Sequence, residues 1–122
     1  MYGYHTSNTP IPSLLDRPIW FALEREHATH GWALTSTGES FFYRAHLHRV
    51  APLRRLATLT TDVLTSNPTA EEILSLPEIG LLREQGFDGL LVPDYDPRDY
   101  ERDLVSVCMF QPLRGVSGWS PL

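Results

Sequence analysis

The stretch Ser40–Val50, SFFYRAHLHRV, decides the fold class because its side chains alternate in character. One side carries Phe42, Arg44, His46 and His48, and the other carries Phe41, Tyr43, Ala45 and Leu47. An alternation with a period of two is typical of a strand that packs one face against a core. The stretch therefore predicts a half-buried β-strand.

Other runs of strand length lie on both sides of this stretch. Those that fit a strand are Tyr2–His5, Ile19–Leu23, Leu53–Thr60, Phe87–Val92 and Leu104–Phe110. The run Thr6–Pro12 ends the first of them, and Thr35–Glu39 is expected to be a turn. The polar segment Pro93–Asp103 is expected to be a loop, because Asp-Pro and Pro-Asp steps favour turns.

Three short helices are expected between the strands. Glu24–Ala33 begins with carboxylates, which are favourable at a helix N-terminus. Thr69 and Glu72 have the spacing of a capping box and open a second helix. Glu78–Gln85 forms a third, which ends at Gly86 because glycine adopts the left-handed backbone that follows a helix. Five or six strands with three helices make an α+β domain.

The composition fits one compact domain over residues 1–122, which is too short for a two-domain enzyme. Hydrophobic residues make up 42% of the chain, enough to form a core. All ten basic residues are arginine, and the fifteen carboxylates leave a net charge of −5. That balance argues against a general attraction to nucleic acid.

The sequence also indicates a cytoplasmic protein. Cys108 is the one cysteine, so no internal disulfide is possible, and its apolar neighbours predict a buried side chain. No run approaches the ~20 apolar residues that cross a bilayer, and the first residues do not resemble a signal peptide.

Two groups of residues have the chemistry to bind a ligand. Tyr4-His5-Thr6-Ser7 places an imidazole beside two hydroxyls at a strand end, although Ser and Thr there often bond their own backbone. The rings of Trp20, Phe21 and Trp32 can sandwich a flat ligand, or can simply fill a core.

Two further groups are weaker candidates. His27 with His30, and His46 with His48, have spacings that suit a metal, but the chain contains no HExxH or CxxC motif and no metal is expected. The acidic residues before the last strand, any of which can be catalytic or merely solvated, are Asp94, Asp96, Asp99, Glu101 and Asp103.

Taken together, these features resemble the ADP-ribosyltransferase superfamily, in particular its small bacterial and phage-type members with a His, aromatic, Glu pattern. The segments that carry the resemblance are Tyr4-His5-Thr6-Ser7, Trp20-Phe21-Ala22, Ala28–Ala33, Gly86–Val92 and Phe110-Gln111-Pro112. The likeness spans nearly the whole sequence. It implies a single domain with a split sheet and an NAD-dependent glycosyltransferase activity that needs no metal.

The resemblance also implies roles for individual residues. His5 would bond the NAD ribose, and Trp32 would stack on nicotinamide where the family usually has Tyr. The implied NAD-binding residues are His5, Thr6, Ser7, Trp20, Phe21, Trp32 and Arg44. Arg44 would contact the pyrophosphate.

The carboxylate of the family pattern falls at Ser106, which is not acidic. In the implied chemistry, that carboxylate stabilises the positive charge that develops on the ribose as nicotinamide leaves. Asp103 or Glu101 would then supply it, with Asp103 the nearer. The implied catalytic residues are His5, Trp32, Asp103 and Glu101.

The leading hypothesis is a toxin, effector or host-interference protein that transfers ADP-ribose to a protein, or less readily to a nucleic acid, in the cytoplasm of its own or a target cell. One alternative is a non-catalytic NAD-binding or protein-binding inhibitor module on the same fold, which Ser106 favours. Another is an NAD glycohydrolase that uses water as the acceptor. The sequence names neither the acceptor nor the oligomeric state.

Overall fold

The computed structural model describes residues 1–32, 38–52, 69–96 and 99–122. Seven strands in these residues form one sheet in the order β4-β5-β6-β2-β1-β3-β7. The strands are β1 (Tyr2–Ser7), β2 (Ile19–Ala22), β3 (Phe41–Leu47), β4 (Val50–Ala51), β5 (Gly89–Asp96), β6 (Asp99–Met109) and β7 (Val116–Pro121). The predicted α+β class is confirmed.

Four short helices accompany the sheet in the described part of the chain. They are a π-helix (His27–Trp32), α1 (Ala70–Ser75), α2 (Pro77–Glu84) and α3 (Pro112–Gly115). The capping box is present, with the Thr69 hydroxyl accepting from the Glu72 amide and the Glu72 carboxylate accepting from the Thr69 amide. Gly86 has the expected positive φ, at 89°. None of these helices is long and apolar enough to cross a membrane.

The sheet curls on itself. β3 ends at Leu47 and β4 begins at Val50. In the order of the sheet, however, four strands lie between β4 and β3, namely β5, β6, β2 and β1. The three steps from Leu47 to Val50 span at most ~10 Å of extended chain, so β4 at one edge of the sheet must lie close to β3 near the other edge. The curl gives the sheet an inner face and an outer face.

Each face packs its own core. The inner core contains Phe21, Ala45, Leu47, Val107 and Met109. The outer core joins the sheet to α1 and α2 and contains Ala51, Ile73, Ile79, Leu82, Leu90, Cys108 and Phe110. The predicted alternation of β3 is confirmed, since Tyr43, Ala45 and Leu47 are buried while Arg44 is exposed. Leu81 of α2 is exposed.

A buried carboxylate joins the segments where the sheet closes. Asp88 has no exposed surface, and its Oδ2 accepts from Arg49 Nε at 2.5 Å. Arg114 Nε lies 3.4 Å from its other oxygen. The backbone of Asp88 also donates to the Arg49 carbonyl and accepts from the Phe110 amide. Asp88 therefore links the β3–β4 turn, the start of β5 and the end of β6.

Two further residues complete this closure. In its satisfied orientation, the Gln111 amide donates to Asp88 Oδ1 at 3.1 Å and accepts from Arg83 of α2 at 2.9 Å. Gly115 lies so close that a Cβ there would be 2.6 Å from Cβ of Asp88, which explains the glycine.

The acidic segment Pro93–Asp103 was predicted to be a loop, and this prediction is wrong. Its described residues extend β5 and β6 into a long hairpin, with Asp94 opposite Leu104 and Tyr95 opposite Asp103. The pairing begins where both strands are apolar and continues outward. Each added antiparallel pair satisfies backbone groups whatever the side chains are, so polarity alone does not end a strand.

Three other expectations differ from the structure or lie beyond it. The described strands number seven rather than five or six, because the sequence did not indicate β4 or β7. The helix expected over Glu24–Ala33 is present as the shorter π-helix. The run Leu53–Thr60 and residues 35–37 lie outside the described residues.

Replacing Asp88 should destabilise the fold. Asp88→Asn leaves two guanidinium groups without their buried carboxylate, and since those arginines are half exposed we expect a loss of about 2–4 kcal/mol in the free energy of unfolding. Urea denaturation measures it, with Asp16→Asn as the control on an exposed loop. A loss no larger than that of the control would contradict the role of Asp88.

Candidate ligand site

The sheet opens between β1 and β2. β2 pairs with β6 at four positions, from Ile19 to Ala22. With β1, by contrast, β2 pairs at one position, where Ala22 lies opposite Tyr4. Beyond that pair, the His5 ring bridges the gap, with its Nδ1 2.6 Å from the Trp20 carbonyl oxygen. At this position the His5 side chain, and not a backbone group of β1, bonds to the backbone of β2. The structure thus has one continuous sheet of seven strands where the resemblance implied a split sheet.

A cavity of about 560 Å³ lies beside this opening. Its walls are His5, Ile19 and Trp20 together with most of the segment from Thr9 to Pro18, which we call the roof loop. The lining is largely apolar, with the imidazole and the Arg17 guanidinium among its few polar groups. This size and composition are typical of sites for small organic ligands and cofactors.

The chemistry of His5 follows from its surroundings. Burial lowers the pKa of its imidazole, and this effect outweighs the hydrogen bond to Trp20, which raises it. The ring is therefore neutral at pH 7. Because Nδ1 faces a carbonyl oxygen, Nδ1 carries the proton and donates. Nε2 then has a lone pair and can accept a hydrogen bond from a ligand hydroxyl.

Aromatic rings hold the imidazole of His5 in place. The Phe21 ring lies 5.9 Å and the Trp119 ring 6.0 Å from it, centroid to centroid. Sequence reasoning missed Trp119, because it lies 114 positions further along the chain in a strand that shows little alternation. The signal that the sequence did offer for Trp119 was its aromatic side chain, close to the last residue.

Thr6 and Ser7 have structural partners. The Thr6 hydroxyl donates to the Ala28 carbonyl of the π-helix at 2.6 Å, and the Ser7 hydroxyl donates to the Thr9 carbonyl at 2.7 Å. Thr6 thus fastens the π-helix to β1, and Ser7 starts the roof loop with a local turn. The Ser7 bond matches the local backbone-bonding alternative that the sequence left open, whereas the Thr6 bond reaches a carbonyl 22 positions along the chain.

The predicted aromatic set is divided between the core and the cavity. Phe21 is fully buried in the inner core and presents no surface to a ligand. Trp20 packs against the outer core but also borders the cavity. Trp32 ends the π-helix, and its side chain lies outside what the structure describes.

Arg44 lies away from His5. It alternates with the inward Tyr43 and Ala45, so it is on the outer face, and its Cζ lies 5.0 Å from the centre of the Tyr2 ring. The structure therefore does not bring Arg44 and His5 together. It does place His46 on the same side as Arg44, with its ring 4.1 Å from that of Tyr2.

The acidic candidates are divided between two strands, with Asp94 and Asp96 in β5 and with Asp99, Glu101 and Asp103 in β6. Ser106, where the sequence resemblance leads us to expect a carboxylate, is buried and directly precedes Val107 of the inner core. Asp103 is three residues earlier, ~10 Å along the strand, beyond the positions at which β6 pairs with β2. The side chains of Glu101 and Asp103 lie outside the described part of the chain.

The described residues offer little support for metal binding or for a cysteine nucleophile. They contain no group of three or more His, Cys, Asp or Glu side chains that could hold a metal ion. His27, from the first histidine pair, is buried in the π-helix, and the side chain of His30 is not described. Burial raises the pKa of the Cys108 thiol to about 12, so it is protonated and a poor nucleophile at neutral pH.

Comparison of the chain with models of protein families, with curated proteins and with solved structures gave no match.

The lowered pKa of His5 predicts a pH effect on stability. As pH falls below about 6.5, the unfolded chain protonates His5 before the native protein does, so the free energy of unfolding should fall. His5→Gln cannot titrate there. The difference in unfolding free energy between wild type and His5→Gln should shrink between pH 7.5 and pH 5, as urea denaturation at each pH measures. A difference that grows on acidification would contradict the assignment.

Proposed function

We propose that the chain binds NAD in the cavity beside His5 and transfers ADP-ribose to a macromolecular acceptor. One observation carries the proposal: a neutral imidazole, fixed by its Nδ1 donor, lines an apolar cavity at an opening of the sheet. Its Nε2 acceptor suits a ribose hydroxyl. The sequence resemblance to ADP-ribosyltransferases begins at this same His5.

The cavity also suits the nicotinamide end of NAD. Its apolar walls favour a flat ring, and Trp20 offers part of an aromatic surface. Thr6 and Ser7 support the site by fixing the π-helix and the roof loop. Arg17 is the guanidinium that borders the cavity, so we assign it the anionic part of NAD in place of Arg44.

The transfer would proceed through a cationic ribose. The bond from C1′ to the nicotinamide nitrogen breaks, and nicotinamide leaves with the bonding electrons. A nucleophile of the acceptor then bonds to C1′ and releases its proton to solvent. A carboxylate near the ribose stabilises the cation, and we propose Asp103 for this role, with Glu101 next in line.

The β5–β6 hairpin is the proposed surface for the acceptor. It carries Asp94, Asp96, Asp99, Glu101 and Asp103. A surface with this charge favours a basic protein over a nucleic acid. The proposal includes action in a cytoplasm, either that of the source cell or that of a target cell.

A binding module that keeps NAD without transferring ADP-ribose is the second candidate. Ser106 favours it, because serine at the position where the family pattern has a carboxylate carries no carboxyl group. Hydrolysis of NAD by water is a variant of the first proposal, since it uses the same pocket and carboxylate.

NAD should raise the melting temperature of the wild-type protein in a saturable way. At a hundredfold excess over Kd, binding adds ~2.7 kcal/mol to the free energy of unfolding. His5→Ala should abolish the rise because it removes the acceptor nitrogen. The matched control His46→Ala removes an imidazole from the outer face and should keep the rise. If folded wild-type protein shows no rise, the proposal is wrong.

Asp103→Asn should separate turnover from binding. We expect nicotinamide release to slow by ~10²-fold while the NAD affinity stays unchanged, since the carboxylate acts on the charge that develops in the transition state. Asp94→Asn, in the partner strand, is the control. Full activity in Asp103→Asn with loss in Glu101→Gln would move the role to Glu101. Wild-type protein that binds NAD but releases no nicotinamide would support the binding module.

A further inference from the structure

Ile11 fastens the middle of the roof loop to the sheet. Its backbone N–H donates to the Tyr43 hydroxyl at 2.7 Å, and its carbonyl accepts from Trp119 Nε1 at 2.9 Å. Both backbone groups of Ile11 are therefore satisfied by side chains. Tyr43 belongs to β3 and Trp119 to β7, which are neighbours in the sheet.

The two side chains form one rigid unit. Their rings stack with centroids 4.4 Å apart and planes 13° apart. The register of β3 with β7 shifts between Arg44 and His46, and Gly118, just before Trp119, has a positive φ of 64°. This irregularity accompanies a Trp119 ring that lies over Tyr43, next to His5 and Phe21.

The roof loop has few other means of holding its position at this point. Ile11 stands between Pro10 and Pro12, neither of which has an N–H to donate. The Ser7–Thr9 turn fixes one end of the loop, and a bond from the Arg17 amide to the Leu15 carbonyl lies near the other. Between these ends, the bonds to Tyr43 and Trp119 set the distance from Ile11 to the sheet.

We infer that Tyr43 and Trp119 are positioning residues, which hold the roof loop over His5 and thereby shape the cavity for its ligand. Ile11 itself lines the cavity, so a loop that moved away from this clamp would change the shape of the cavity. The inference rests on the proposed function for the identity of the ligand, NAD. Through this clamp, ligand binding would depend on Trp119 of β7, 108 positions away from Ile11.

Two substitutions each remove one bond of the clamp and keep the stacked rings. Tyr43→Phe deletes the hydroxyl that accepts from the Ile11 amide, and Trp119→Phe deletes the donor to its carbonyl. The measurements are hydrogen exchange of the Ile11 amide by NMR, the Kd for NAD, and the melting temperature without ligand. Tyr2→Phe, a tyrosine on the outer face beside His46, is the matched control.

In both clamp variants, we expect faster hydrogen exchange at the Ile11 amide. We also expect the Kd for NAD to rise by about five-fold, which corresponds to the net free energy that one hydrogen bond contributes. The melting temperature should change little in Tyr43→Phe, which keeps its buried ring, and should fall in Trp119→Phe, where a smaller ring replaces an indole packed against the inner core. Where nicotinamide release is measurable, KM should rise while kcat is retained, which a general loss of structure would not produce. The control should match wild type in all of these.

Two results would overturn the inference. Unchanged exchange at Ile11 in both variants would show that the clamp does not hold the loop, and faster exchange with an unchanged Kd would show that the loop position does not matter for the ligand. If wild-type protein binds no NAD, the proposed function fails and the positioning role for NAD fails with it. The exchange data then show separately whether the clamp exists.

Discussion

The carboxylate of Asp88 is the constraint on which the curled sheet depends. It lies without exposed surface between Arg49 and Arg114, and its own backbone joins the start of β5 to the end of β6. A buried charge is costly unless hydrogen bonds and opposite charges surround it. This requirement favours one arrangement, in which the β3–β4 turn, β5 and α3 all converge on the same carboxylate.

The closure at Asp88 has consequences on the other side of the sheet. Curling turns His5, Phe21 and Tyr43 toward a common interior, where Trp119 also packs. The same interior opens where β1 leaves β2, and there His5 replaces the ladder by bonding to the Trp20 carbonyl. The desolvation that keeps this imidazole neutral thus comes from the fold, and neutrality is what makes Nε2 a hydrogen-bond acceptor.

Local patterns predicted much of the fold. The alternation in Ser40–Val50, the capping box at Thr69 and the positive φ at Gly86 all depend on neighbours in sequence, and the structure has all three. The acidic hairpin and the roles of Asp88 and Trp119 depend on partners far along the chain. Local polarity suggested a loop at Pro93–Asp103, but strand pairing that begins in the apolar part of β5 and β6 continues through it.

For the candidate site, too, local patterns in the sequence predicted one part and missed the part that depends on long-range pairing. His5 was identified from its position beside two hydroxyls, whereas the distribution of Phe21 and Arg44 between core and outer face required the sheet register.

The most direct test of the account is the ¹⁵N NMR spectrum of the His5 ring at neutral pH, before and after NAD is added. The account predicts a protonated Nδ1, an unprotonated Nε2, and an NAD-dependent shift of Nε2 that the His46 ring does not show. A proton on Nε2, or a His5 ring unchanged by saturating NAD, would contradict it.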